Sequence, residues 1–227
     1  SRKNEKLFTT ARLFSAQTLM STQKYQEAFD VLTYAVEDTS AIDTLMNLSR
    51  MYIMMGSSLK NISDANNDTQ KLNQSVEYYT KAIDLRVPET MEQASVYRAG
   101  ALISLNQFEQ AESDLRQLMN SSDENIKRDA QMRLAMISVK QNKSQQAIET
   151  YLGLYNSTTD PEEKVEFLRN IIQISAMAND TASLVKYSNM MIESDIAEGK
   201  KPQNSQAFYK EEAYYYLADT FEKQENF

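Results

Sequence analysis

Apolar and small residues return along this chain at spacings of three and four, inside a motif that recurs. The motif reads Gln23-Lys24-Tyr25-Gln26-Glu27-Ala28 and again Asn106-Gln107-Phe108-Glu109-Gln110-Ala111. Weaker copies are Asn142-Lys143-Ser144-Gln145-Gln146-Ala147 and Asn179-Asp180-Thr181-Ala182-Ser183-Leu184, and Glu225-Asn226-Phe227 opens another. The last column steps by 36 from Ala111 to Ala147 and by 37 from Ala147 to Leu184. Ser75, 36 before Ala111 and 47 after Ala28, supplies the missing copy. Four residues past the column stand Leu32, Tyr79, Leu115 and Tyr151, and three further on Ala35, Ala82, Leu118 and Leu154. Spacings of four and three put these on one face of a helix.

A period in the mid-thirties with two helical patterns per unit predicts stacked helical hairpins and an all-α fold. The expected units are 7–38, 42–87, 91–120, 124–156, 161–193 and an incomplete 206–227, in a single domain spanning 1–227. The long second unit carries an insertion at 57–70. It is polar and turn-prone, and reads as a protease-sensitive loop. The alternative is that Leu59 and Ile62 dock and extend the helices. Pro88, Pro161 and Pro202 fall between units, where proline stops one helix and opens the next. Asp123-Glu124, Glu162-Glu163 and Glu211-Glu212 stand at expected helix starts, where negative charge complements the helix dipole.

The pattern resembles the tetratricopeptide repeat family over nearly the whole chain. That family has Trp-x-x-Leu-Gly-x-x-Tyr in a first helix, then Ala-x-x-x-Phe and a later Pro. The Leu-Gly pair is represented by Ser15-Ala16, Leu48-Ser49, Arg98-Ala99, Leu134-Ala135, Ile171-Ile172 and Leu217-Ala218. In the last of these, Tyr214 stands where the family's Trp would be and Phe221 where its Tyr would be. No unit has the Trp, and the fifth has Ile172, Leu184 and Ser188 at its motif positions. The C-terminal half also looks like the long repeat proteins of Bacteroidetes-type cell envelopes. The resemblance implies a right-handed solenoid of about five and a half repeats. It implies a concave groove, lined by the first helices, that holds a protein or peptide segment.

Rows placed relative to each small residue assign Phe14, Asn47, Arg50, Tyr97, Arg133, Arg169, Asn170, Tyr215 and Tyr216 to that groove. The same rows also pass through Leu13, Met46, Val96 and Met132, and through Gln17, Gly100, Met136, Gln173 and Asp219. Aromatic and Arg side chains are the types that dominate binding hot spots. Asp129 and Glu166, one turn away, are the local carboxylates that could pair with Arg133 and Arg169. Leu13 and Gln17 occupy the places where chaperone-tail-binding repeats use Lys and Asn, so that activity is not expected. The implied role is a non-catalytic interaction scaffold. A regulatory module that binds a short peptide or small ligand and shifts a linked effector domain is the alternative.

Composition narrows the chemistry. Of 227 residues only 4 are Gly and 3 are Pro, too few for a turn-rich sheet protein. His and Cys are both absent, which excludes Ser-His-Asp and Cys-His triads, Cys/His zinc sites and redox dithiols within the chain. No Gly-rich phosphate loop occurs, and no cofactor or metal is expected. The formal charge of −8 disfavours nucleic acid, because no basic cluster is present to offset it. No apolar run is long enough to cross a membrane. Nothing decides the compartment, although the envelope resemblance tilts it toward a bacterial periplasm or cell surface. Ala213, Tyr214, Leu217, Ala218 and Phe221 form an apolar stripe on the last helix. That stripe suggests a chain that continues beyond Phe227 and a fragment that pairs weakly through this end.

Overall fold

A computed structural model describes residues 2–37, 42, 44–193 and 205–225. Among them every regular element is an α-helix. The helices are α1 (Arg2–Ser21), α2 (Tyr25–Val36), α3 (Leu45–Asn66), α4 (Thr69–Asp84), α5 (Pro88–Ser104) and α6 (Phe108–Leu118). They continue with α7 (Glu124–Lys140), α8 (Ser144–Ser157), α9 (Pro161–Met177), α10 (Thr181–Glu193) and α11 (Ser205–Glu225). Contacts divide the chain into two compact units, Ser1–Ala130 and Gln131–Phe227, with the division inside α7. No described helix is long and apolar enough to cross a membrane. Pro88 and Pro161 open α5 and α9, whereas Pro202 lies outside the described residues.

The turns explain the repeat. Gln23, Asn67, Asn106, Asn142 and Asn179 all have φ between 53° and 59°. After each, the next residue's N–H reaches back five positions: Lys24 to Leu19 O, Asp68 to Ser63 O, Gln107 to Leu102 O, Lys143 to Ser138 O and Asp180 to Ser175 O. This left-handed closure satisfies a helix-end carbonyl and reverses the chain. Asn is the non-glycine residue that tolerates this conformation best. The polar residue opening the sequence motif is therefore the left-handed turn residue. Asp68 and Asp180 then cap the following helix by accepting from Gln70 N and Lys71 N, and from Ser183 N.

Helices pack in sequence order. In the first unit α1 lies against α2, α3 and α5 each lie against the even helices on both sides, and α1 touches α3 as α3 touches α5. In the second unit α9 packs on α8, α10 and α11, and α10 on α11. The motif column is the core. Ala28, Ser75, Ala111, Ala147 and Leu184 are all buried, as are Leu32, Tyr79, Leu115, Tyr151 and Ser188. Small residues Ala16, Ser49, Ala99 and Ala135 are fully buried on the odd helices, where they let neighbouring backbones approach. Ile172 takes that place in α9 and is also buried. Each fully buried Leu or Ile contributes about 1.5–3 kcal/mol relative to exposure.

The insertion at 57–70 is helix as far as Asn66 and then only the tight turn at Asn67 and Asp68, not a loop. α3 runs unbroken to Asn66, and Ser58, Leu59 and Ser63 are buried in it. From small residue to turn residue is seven positions in α1 (Ala16 to Gln23) and in α5 (Ala99 to Asn106), but eighteen in α3 (Ser49 to Asn67). The eleven extra residues make three turns at about 3.6 per turn. An insertion of whole turns keeps the buried face in phase, so nothing forces the chain out of the helix. Docked Leu59 thus outweighs the polar composition.

The last helix also departs from expectation. Its buried small residue is Ala213, while Ala218 is exposed. Glu211-Glu212 lies in the second turn of α11 and not at its start.

Ion pairs also tie helices together. Arg98 on α5 donates Nε to Asp114 Oδ2 at 2.7 Å and Nη2 to Oδ1 at 2.6 Å. Its Nη1 reaches Thr80 Oγ1 at 3.1 Å. One guanidinium thereby ties α4, α5 and α6 with the bidentate geometry that suits Arg.

Two of the helical glycines, Gly56 and Gly153, differ in surroundings. A Cβ on Gly56 would stand 2.7 Å from Tyr79 Cε1, whereas one on Gly153 would meet nothing within 4 Å. Gly56→Ala is therefore expected to destabilise by about 1–2 kcal/mol, overpacking outweighing the gain in helix propensity. Gly153→Ala is expected to stabilise by about 0.5–1 kcal/mol. Opposite shifts in thermal midpoint check this, and equal shifts would refute the Tyr79 contact.

Candidate functional site

The odd helices of the first unit surround a cavity of about 590 Å³. α1 contributes Leu13, Gln17, Met20 and Ser21. α3 contributes Arg50, Ile53, Met54 and Ser57, and α5 contributes Gln93 and Tyr97. Each set follows its helix at spacings of one, three and four, so each is one helix face. Leu13, Met20, Ile53 and Met54 give apolar wall. The remaining six are polar, with one cation and no carboxylate among them.

Its polar rim is pre-ordered. Gln93 Nε2 donates to the Tyr97 hydroxyl at 3.3 Å. The Tyr97 ring lies 5.8 Å from that of buried Tyr79. The Tyr79 hydroxyl in turn bonds Ser57 Oγ at 3.1 Å. Arg50 is exposed. Unlike Arg98, it makes no ion pair or hydrogen bond among the described residues. A guanidinium there keeps its five donors available to whatever enters.

The nine expected groove residues fall in both units. Of the four in the first, Arg50 and Tyr97 come together in the cavity wall, with Leu13 and Gln17 beside them. Phe14 is on α1 but outside the lining, and is 72 % exposed. Asn47 is half-buried in the first turn of α3, where its N–H donates to the capping Thr44 Oγ1 at 3.1 Å.

The second unit places its five differently. Arg133 is half-buried on α7. Asn170 donates its side-chain amide to Glu166 O of its own helix at 2.9 Å. Arg169 donates Nε to Glu212 Oε2 at 2.7 Å, and Gln173 adds 3.1 Å to Glu212 Oε1. Arg169 is thus tied to a carboxylate 43 residues away on α11, a contact that local spacing did not offer. Tyr215 is exposed, and its ring stands edge-on to Tyr216 at 6.1 Å. Tyr216 packs against the buried cluster that holds Ile172 and Ala213. The row that selected Tyr215 and Tyr216 took Ala218 as the small residue. With Ala213 in that role, the equivalent positions fall on Lys210, Glu211 and Tyr214.

Met20, Ser21, Ile53, Met54, Ser57 and Gln93 were not singled out from sequence as groove wall. They sit one turn along from Gln17, Arg50 and Tyr97, so helical spacing alone could have found them. No protein-family model matches the chain, and no curated protein matches it.

Two expectations follow from these contacts. Arg169→Ala should lower the thermal midpoint, by about 1 kcal/mol of stability, since it releases α11 from α9. A double-mutant cycle with Glu212→Ala should show coupling, and additive effects would refute the tie.

Burial pushes the Tyr79 phenol up to about 12 from 10.0, partly offset by the Ser57 hydrogen bond. Below pH 10 both folded and unfolded states hold it neutral, and its contribution is complete. Between pH 10 and about 12 the unfolded chain loses the proton and the folded chain does not. Stability therefore falls across that window by about 1.4 kcal/mol per pH unit for this group. Tyr79→Phe should lose stability at neutral pH but flatten the alkaline decline, measured by urea unfolding at stepped pH.

Proposed function

We propose that the chain is a right-handed tetratricopeptide-like solenoid of about five and a half repeats. It acts as a non-catalytic scaffold that holds a segment of a partner protein along the faces of its odd helices. The best-formed part of that surface is the cavity between α1, α3 and α5. One observation carries the reading. Three successive odd helices converge on a single concavity that has an apolar floor, an available Arg50 and no carboxylate, in a chain of formal charge −8. A pre-formed groove of this kind lowers the ordering cost on the host side, so a short segment gains useful affinity. Apolar side chains of the segment fill the space over Met20, Ile53 and Met54. Backbone or acidic groups face Arg50, Gln17 and Gln93. The repeating left-handed turns and the buried motif column support the family reading.

Selection of a displayed random-peptide library against the whole chain tests it. Peptides selected by the wild type are expected to lose at least tenfold in affinity on the Arg50→Ala, Tyr97→Ala double variant, with its helix content unchanged. Phe14→Ala, outside the cavity wall, should bind them as well as the wild type does. Selected peptides that bind the double variant equally would place recognition elsewhere and overturn the reading.

A further inference from the structure

The lining of the cavity between α1, α3 and α5 is ordered along its helices. On α3 it runs Arg50, then Ile53 and Met54, then Ser57. The step from cation to apolar wall is three to four residues, about 4.5–6 Å at about 1.5 Å per residue. The opposite wall repeats the step on α1, from Gln17 to Met20. Gln17 and Arg50 each follow the buried small residue of their helix, Ala16 and Ser49. Both walls therefore carry a polar group and an apolar group in the same register.

That step fits an extended chain. In a strand, residues i and i+2 share one face about 6.5–7 Å apart, and the residue between them turns away. A helix is too wide. From Arg50 to Ser57, α3 rises about 10 Å, and over that length a helix about 10–12 Å across fills about 800 Å³ or more. The cavity holds about 590 Å³. Along α3 the apolar wall has a polar group on each side, Arg50 before it and Ser57 after it. Ser57 has hydrogen-bonding capacity beyond its bond to Tyr79, so it can meet a passing peptide group. A chain can thus enter and leave over polar surface, and the recognised residues are internal ones.

Charge selects the residue that faces Arg50. Arg50 is the one charged side chain in the lining, and no ion pair engages it among the described residues. A guanidinium binds a carboxylate through two parallel hydrogen bonds. One cation matches one carboxylate and leaves the second charge of a phosphate unmatched. Met20 and Met54 make the apolar wall adaptable, so it takes large apolar side chains of more than one shape.

We infer that the cavity recognises one internal, extended pattern in its partner protein: an acidic residue, any residue, then a large apolar residue. The carboxylate pairs with Arg50, and the apolar side chain packs on Met20, Ile53 and Met54. This rests on the scaffold reading above and specifies which segments the scaffold takes.

A displayed library of random nine-residue peptides, held between linkers at both ends, tests the pattern on the whole chain. Peptides that bind the wild type and not the Arg50→Ala, Tyr97→Ala variant should carry acid-x-apolar about fivefold or more above its frequency in the unselected library. Acid and apolar residue set adjacent, or three or four apart, should show no enrichment. Made as capped peptides, the enriched sequences should lose about tenfold or more in affinity when the acid becomes its amide. Arg50→Gln should cost the same factor, with no further loss for the amide peptide. Arg50→Glu should turn the preference to Lys or Arg at the acidic position, which also shows that the variant is folded. Cavity-dependent peptides without the pattern overturn this inference and leave the scaffold reading standing. So does an amide penalty that persists on Arg50→Gln, or a preference unchanged on Arg50→Glu. Peptides that bind the double variant equally, or a library that yields no binder, overturn both.

Discussion

Every hairpin described in this protein depends on one backbone event, a single residue held at positive φ between two helices. It occurs at Gln23, Asn67, Asn106, Asn142 and Asn179, each time closed by an N–H that reaches back five residues. The geometry leaves little freedom in the angle at which the next helix departs. With the turn set, the residue five positions on faces the preceding helix, as Ala28, Ala111, Ala147 and Leu184 do. Burial, close approach and the order of packing all follow from that offset. Four of the five turn residues are Asn, whose short side chain makes the left-handed region least costly without glycine. A chain with only 4 Gly can therefore reverse direction repeatedly.

Polar contacts then act where helices meet over small residues. Alanine and serine columns bring backbones together but bury little side-chain surface. Arg98 with Asp114 and Thr80, and Arg169 and Gln173 with Glu212, tie neighbouring helices together. Ser49 does the same without charge, its hydroxyl 2.7 Å from that of Thr90 on α5. These interactions consume Arg98 and Arg169, two of the side chains a binding surface could have used. Arg50 is spared, and that difference gives the cavity its character.

A concavity of this kind needs three helices to exist. α1 and α3 alone would leave a shallow furrow, and α5 closes its third side with Gln93 and Tyr97. Tyr97 is in turn backed by Tyr79, whose ring rests on Gly56 of the lengthened α3. The extra turns of α3 carry Ser57, which both lines the cavity and bonds Tyr79. The helix extension is thus part of how the candidate site is built, and not an appendage to it.

Much of this architecture was legible in the sequence, because a helix converts spacing directly into direction. Steps of three and four placed Leu32, Tyr79, Leu115 and Tyr151 on buried faces. Arg50, Tyr97, Leu13 and Gln17 were reachable by the same logic, although the same rows took in Met46, Val96 and Gly100, which lie outside the cavity lining. The remainder was not, for identifiable reasons. Composition suggested a loop at 57–70, yet eleven inserted residues complete whole turns and keep Leu59 on the buried side. Local spacing offered Glu166 to Arg169 but gave no sign of Glu212, which the packing of α11 on α9 brings to it. Register in α11 could not be read from its crowd of tyrosines, because Ala213 and Ala218 fit equally until a neighbouring helix selects one. Helix existence, turn position and buried face are local properties, determined by residues within a few positions of each other. Which charges pair and which surfaces remain open depends on groups far apart in the chain, and only the tertiary structure decided those.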